Sequence, residues 1–173
     1  MQYRQLQREE IAQILTIDRR ELIERVYRLE CGELRLELHH VDVTGWPPDT
    51  VAQFPLLYDT FDRGGDFCGA FDGERLIGVA VLDTIWRGPH GDLLQLDFLQ
   101  VGRDHRSQGV GGYLFEHARG VARQRGARGM YVSATPTENT IRFYQGRGCT
   151  VIDVPDPELF EKEPEDIHLI CPV

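Results

Sequence analysis

Long apolar runs are missing from this chain of 173 residues. The longest, such as Ile77 to Leu82, fall far short of the roughly 18 residues that span a bilayer, which excludes a membrane helix and a membrane partner. Paired cysteines are missing too. Cys31, Cys68, Cys149 and Cys171 stand far apart with no C-x-x-C, a spacing that fits neither a zinc clamp nor a redox dithiol. The expectation is four reduced, mostly buried thiols and no metal. Lysine is almost absent, with Lys162 alone against eighteen arginines. No Gly/Ser linker, low-complexity tract or internal repeat divides the chain, so residues 1-173 read as one domain. The opening Met1-Gln2-Tyr3-Arg4-Gln5 lacks the apolar stretch of a secretion signal, and the reading is cytoplasmic.

What remains is enough for a core: 41% of residues are hydrophobic and 27% charged. A chain of this length hides roughly 70% of the surface that its unfolded form exposes. The net charge of −9 repels polyanions, so nucleic acid is not an expected partner. Its distribution is uneven. Between Arg103 and Arg147 eight arginines face three acids, a local +5 that leaves −14 on the remainder. One stretch welcomes an anion and the rest favours a cation.

Apolar spacing predicts two short opening helices, over Glu9–Ile17 and Leu22–Leu29. Glu33 to Leu38 alternates charged and apolar residues, a strand with one buried face, until Trp46-Pro47-Pro48 stops it. A helix capped by Asp49 runs toward Gly64-Gly65. Asp66–Phe71 and Arg75–Asp83 flank Asp72-Gly73-Glu74, a hairpin turn because Asp-Gly accepts positive φ cheaply. Leu93–Val101 is a strand, and Val110, Leu114, Phe115, Ala118, Val121 and Ala122 mark a helix that Gly126 closes. A strand over Met130–Ala134 and a helix over Thr137–Gln145 follow. Cys149–Val154 and Ile167–Cys171 make a strand pair, joined by a solvated acidic connection. Helices interleave with strands and hairpins, so the class is α/β (α+β in some schemes), with a mixed, mostly antiparallel sheet and helices on both faces.

Chemistry concentrates in Val101 to Leu114, where a strand gives way to a helix. Gly109, Gly111 and Gly112 let backbone approach a ligand, and the first amides of a helix have no internal acceptor, so a phosphate suits them. A P-loop needs Gly-Lys-Ser/Thr and is excluded, because the single lysine lies elsewhere. A dinucleotide fingerprint needs glycine where Leu114 stands.

What does fit is R-x-x-G-x-G over Arg106 to Gly111, followed by Tyr131-Val132-Ser133-Ala134, Asn139, Phe143-Tyr144 and Gly148-Cys149. This order resembles the GNAT (N-acetyltransferase) superfamily over about Leu93 to Cys149. The resemblance implies a GNAT-like domain and acetyl-CoA as co-substrate. Backbone groups near Leu99 and Val101 would pair with the pantetheine arm. Arg106, Ser107, Gln108, Gly109, Val110, Gly111 and Gly112 would seat the pyrophosphate, with Arg106 adding a charge-assisted contact and Asn139 touching the cofactor. Tyr144 matches the tyrosine that commonly protonates the departing thiolate. Asp97, on the strand before the loop, is the first choice of base for the incoming amine; Glu24, Glu30 and Asp83 are alternatives. The implied reaction is direct acyl transfer from an acyl-CoA to a primary amine of a small molecule or peptide, with no covalent enzyme intermediate. The acidic surplus favours a cationic acceptor, and a homodimer is open because dimers are common in the family.

Each role has a plainer rival. The glycine-rich turn, Tyr144 beside Phe143, and Asp97 between Leu96 and Phe98 could all be structural. Trp46 fits packing better than an acceptor pocket. His39 and His40 point to opposite faces of a strand and cannot readily share one ion. The rival from another class is a non-catalytic acyl-CoA sensor or interaction domain.

Overall fold

The computed structural model describes residues 1–173. Seven strands form one sheet in the order β1 (Gln2–Gln5), β4 (Asp66–Asp72), β5 (Arg75–Arg87), β6 (Leu93–Val101), β7 (Gly129–Ala134), β9 (Ile167–Pro172) and β8 (Thr150–Val151). Two more strands, β2 (Glu21–Glu30) and β3 (Glu33–Val43), make a separate two-stranded sheet. The pairing β6–β7 is parallel; β1–β4, β4–β5, β7–β9 and β8–β9 are antiparallel. The fold is therefore α/β with a mixed, mostly antiparallel sheet. No helix is long and apolar enough to cross a membrane.

Two compact units are woven from alternating segments: Met1–Glu21, Val43–Thr84 and Leu96–Val121 form the first, and Leu22–Asp42, Ile85–Gln95 and Ala122–Val173 form the second. The core of the first gathers Ile11 and Ile14 from a 3-10 helix over Arg8–Thr16, Leu57 from α2 (Leu56–Asp62), and Phe67, Phe71, Leu76, Val79 and Val81 from β4 and β5. The β4–β5 turn carries Gly73 at φ 59°, the left-handed conformation that Asp-Gly predicted. In the second unit Leu93, Tyr131 and Leu159 pack together. Leu159 belongs to α5 (Pro157–Lys162), a short helix inside the acidic segment that spacing had assigned to a plain connection. Asp156 caps that helix by accepting from the amides of Glu158 and Leu159.

Four expectations are corrected. Leu22–Leu29 is strand, because its apolar residues suit either period and the two-residue turn Cys31-Gly32, with φ 52° and 83°, folds it against β3. The face of β3 expected to be buried is not, and Leu38 is 89% exposed. The helix expected from Asp49 breaks in two, α1 (Pro48–Gln53) and α2, because Pro55 offers no amide to continue the ladder; Pro47 rather than Asp49 occupies the cap. Cys149 and Cys171 form a disulfide, since the β8–β9 register, Thr150 opposite Ile170, sets these two residues face to face one step further along. Cys31 and Cys68 remain thiols, and only Cys68 is buried.

Candidate active site

The nucleotide-binding candidate is built in the first unit, where β6 hands over to α3 (Val110–Gln124). Leu99 and Val101 are half-buried at the end of β6. The chain then anchors itself: Gly102 donates to Ile77 O at 2.8 Å and Arg103 donates to Asp18 O at 2.9 Å. A side chain at Gly102 would press on that same Ile77 carbonyl, and one at Gly78 would meet Gln100 O, Val110 and Leu114 at 3.2–3.3 Å. Two small residues thus let the helix start lie tight against strands. Gly78 escaped the sequence reading because nothing near it spells a motif.

Arg103–His105 makes one 3-10 turn, and Ser107 (φ 60°) and Gly109 (φ 85°) then swing the backbone through left-handed conformations. The first helical bond of α3 runs from Tyr113 N to Gly109 O at 3.0 Å. The amides of Val110, Gly111 and Gly112 therefore precede the ladder and, with the positive end of the helix dipole, favour an anion. Ser107, Gln108 and Gly109 are exposed, whereas Val110 and Leu114 are buried anchors. Gln108 braces the loop by donating from Nε2 to Asp104 O at 2.7 Å.

Arg106 is tied into the loop and remains part-exposed. Its guanidinium donates to Val101 O at 3.2 Å and to Arg19 O at 3.3 Å, and pairs with Glu21 at 3.2 Å. The motif arginine is engaged with the protein on three sides, a use that its place in the pattern did not reveal.

Asp97 sits half-buried on β6 in the same unit. Nearby, Asp83 is nearly sealed from solvent and accepts from Arg63 Nε at 2.9 Å, from Arg63 again through its second oxygen, and from Thr84 N at 2.6 Å. These contacts hold the Asp83 carboxylate against Arg63. The Arg63 pKa is raised, first by its hydrogen bond to Asp83 and further by the charges of Asp83 and Asp97, so Asp97 lies within electrostatic reach of a cation. Trp46 packs as expected: its Nε1 donates to Ile17 O at 3.1 Å and its ring stacks on Phe98 at 5.7 Å.

Tyr144 and Asn139 lie in the second unit on α4 (Glu138–Gln145), which Thr137 caps by accepting from Thr140 N at 3.2 Å. Asn139 is exposed in the first turn. Tyr144 is only 6% exposed, and burial drives its phenol pKa well above the ordinary value, with Arg147 opposing and Asp166 adding to the rise. Asp166 itself is pushed up to about 6 by burial and the neighbouring Glu163, against a hydrogen bond from Ser133 Oγ at 3.2 Å. The alternatives Glu24 and Glu30 are exposed on the β2–β3 hairpin, and Glu30 is paired with Arg35 at 3.3 Å.

A strand that ends in a left-handed bend, feeding unladdered amides into a helix start, is the backbone that an R-x-x-G-x-G sequence builds. The GNAT acetyltransferase family profile matches residues 23–149. The chain belongs to the GNAT acetyltransferase family, and it is an acyltransferase. Solved structures of GNAT proteins share its fold. Nourseothricin acetyltransferase superposes with a TM-score of 0.74 at 21% identity, covering 99% of this chain and 97% of that one. A Bacillus anthracis protein described as a streptothricin acetyltransferase, solved with acetyl coenzyme A, gives 0.67 at 16% identity, with 99% of each chain covered. The PaiA N-acetyltransferase from Thermoplasma acidophilum, solved with coenzyme A, gives 0.65 at 16% identity, covering 99% of this chain and 98% of that one. No curated protein matches the sequence significantly.

Proposed function

We propose that residues 1–173 act as a single N-acetyltransferase domain that moves an acetyl or acyl group from acetyl-CoA to a primary amine of a small molecule or peptide. The observation that carries this is the loop from Arg106 to Gly112, where two left-handed residues present helix-start amides at an exposed rim. That cradle suits a pyrophosphate, which needs several donors and no cation of its own. Bound there, acetyl-CoA supplies an activated thioester. The backbone at Leu99 and Val101 holds its pantetheine arm. Arg106, held by Glu21 and the two carbonyls and still part-exposed, adds a charge-assisted contact to phosphate. Asn139 provides a further polar contact.

Asp97 takes the proton from the attacking amine, which must be neutral to react. Tyr144 returns a proton to the departing thiolate. Burial raises its phenol pKa, which keeps the proton in place but makes it a weaker donor, so the transfer relies on the thiolate forming directly against the hydroxyl. Direct attack needs no acyl-cysteine, and the cysteines suit that: two form a disulfide and Cys68 is buried. The −14 charge outside Arg103–Arg147 favours a cationic acceptor. Nourseothricin and streptothricin, named in the structural neighbours, are the first acceptors to try.

One observation favours the sensor reading, namely that the intended acid, Tyr144, is closed off from solvent. A thiol-release assay with acetyl-CoA and an amine panel separates the two. Turnover with an acetylated product of the expected mass, reduced about 10²-fold or more in Tyr144→Phe with unchanged coenzyme A affinity, supports the enzyme. Coenzyme A binding with no release against any amine supports the sensor. Full activity in Tyr144→Phe removes this tyrosine from the mechanism.

A further inference from the structure

In the second unit Asp166 is drawn out of water by the fold and given no cation. Two other half-buried carboxylates there each have one: Asp156 pairs with Arg87 at 3.3 Å, and Glu138 pairs with Arg25 at 2.8 Å and with Arg142 at 2.9 Å. Asp166 stands just before β9, beside the end of β7, where Ala134 lies opposite Ile167. Its Oδ2 accepts from Ser133 Oγ at 3.2 Å, while Oδ1 is neither hydrogen-bonded nor sealed from solvent. The cations around it are occupied. Arg28 reaches the same loop but pairs with Glu165 at 2.6 Å, and Arg147 donates to Phe143 O at 2.8 Å and lies over the Phe143 ring at 3.6 Å. His168, opposite Ser133 on the same face, supplies no charge either, because burial lowers its pKa and its Nδ1 meets Tyr131 Oη at 2.8 Å. Burial and then the charge of Glu163 lift the Asp166 carboxyl to about 6, so it is still ionised at about pH 7.5. An ionised carboxylate held half-buried without a counter-charge destabilises the fold, and such a local conflict marks a position kept for function. A cation from outside resolves it.

The same carboxylate lies close to the tyrosine assigned to the departing thiolate, since the charge of Asp166 adds to the rise of the Tyr144 phenol. A cation bound at Asp166 therefore sits within electrostatic reach of Tyr144. Which cation follows from the chemistry. A carboxylate in surroundings poor in water favours the charged form of an amine beside it, whereas the amine that attacks a thioester must be neutral. Asp166 is thus suited to an amino group that does not react. A compact ammonium, with three donors, can bond Oδ1 while Ser133 keeps Oδ2. We propose that Asp166, oriented by Ser133, seats a second, non-reacting ammonium of the acceptor, so that the preferred acceptors carry more than one amino group. The inference rests on the acyl-transfer reading and adds to it a residue for the acceptor and the acceptor's class.

Titration calorimetry of spermidine into the full chain, at about 0.15 M salt to screen diffuse charge, reads the seat without any turnover. The parent binds spermidine more tightly than n-butylamine. Asp166→Asn weakens spermidine by about tenfold to a hundredfold, the loss of one charge-assisted contact. Glu161→Gln, which removes one exposed negative charge from α5, binds as the parent does. Lowering the pH from about 7.5 to about 5 weakens spermidine about tenfold in the parent, because Asp166 takes up a proton, and leaves Asp166→Asn nearly unmoved. In thiol release with acetyl-CoA, Asp166→Asn raises the spermidine KM with kcat and coenzyme A affinity close to parental. No heat from spermidine, equal affinities in the parent and Asp166→Asn, or an equal loss in Glu161→Gln overturns the proposal. So does a fall in kcat at unchanged KM, which would make Asp166 the base. Spermidine binding that depends on Asp166 but yields no thiol release would defeat the acyl-transfer reading and leave the cation seat standing. Thiol release with a parental KM in Asp166→Asn would do the reverse.

Discussion

Two glycines at opposite ends of α3 allow the anion seat to be tested against a matched control. Gly109 precedes the helix at φ 85° and Gly126 follows it at φ 83°, and a Cβ added at either meets no atom within 4 Å. Replacement by alanine is therefore free of steric clash at both sites and costs only the conformational penalty of a left-handed L-residue, about 1–2 kcal/mol. In a chain of this size that lowers the melting temperature by roughly 2–4 °C per kcal/mol. Both variants should lose the same stability in urea or thermal unfolding. Ligand binding should separate them. Gly109→Ala relieves its strain by tilting the amides of Val110 and Gly111, and losing one charge-assisted amide-to-phosphate bond, worth about 1.5–3 kcal/mol, weakens coenzyme A by roughly tenfold to a hundredfold. Gly126→Ala leaves the helix start alone and binds as the parent does. Titration calorimetry with coenzyme A on both folded variants supplies the comparison. Equal affinities, or a loss at Gly126 as large as at Gly109, would refute the reasoning, because the stability penalty alone would then explain any effect.

Further outcomes follow from the second unit. Asp166, with its carboxyl raised to about 6 in the fold against an ordinary value of 3.8, binds its proton more tightly when folded. It stabilises the fold below about pH 4 and that contribution is lost as pH rises through 6, so Asp166→Asn should gain stability relative to the parent at pH 7.5 but not at pH 3.5. A difference in urea midpoints that ignores pH would show that the carboxyl is not desolvated. The disulfide Cys149–Cys171 spans 22 positions of sequence. Its loop entropy predicts that Cys149→Ser loses about 3 kcal/mol of stability without reductant and matches the parent in its presence. Identical denaturation curves under oxidising conditions would mean that the crosslink restrains nothing.

Elements with a single self-consistent signal were legible in the chain. The helix that starts at Val110 followed from 3.6-residue spacing and from glycines at both of its ends. The Asp72-Gly73 hairpin followed from one residue that tolerates positive φ. Where two periods competed, the neighbours decided. Leu22–Leu29 carries apolar residues compatible with helix or strand, and the Cys31-Gly32 turn that settles the matter lacks the usual Asn or Asp. Pro55 was visible, yet the pattern around it read as one helix. The Arg106 contacts depend on Arg19 and Glu21, far away in sequence, and no local signal names them.

Local sequence therefore determined the chemistry-bearing stretch, because a glycine-rich turn between strand and helix acts through its own backbone and needs no distant partner. Pairing across the chain was decided only in three dimensions. The β8–β9 register put Cys149 against Cys171, burial raised the Tyr144 phenol, and Arg63 came to bond Asp83. These properties belong to pairs of residues and to the solvent excluded around them, and a linear order carries neither.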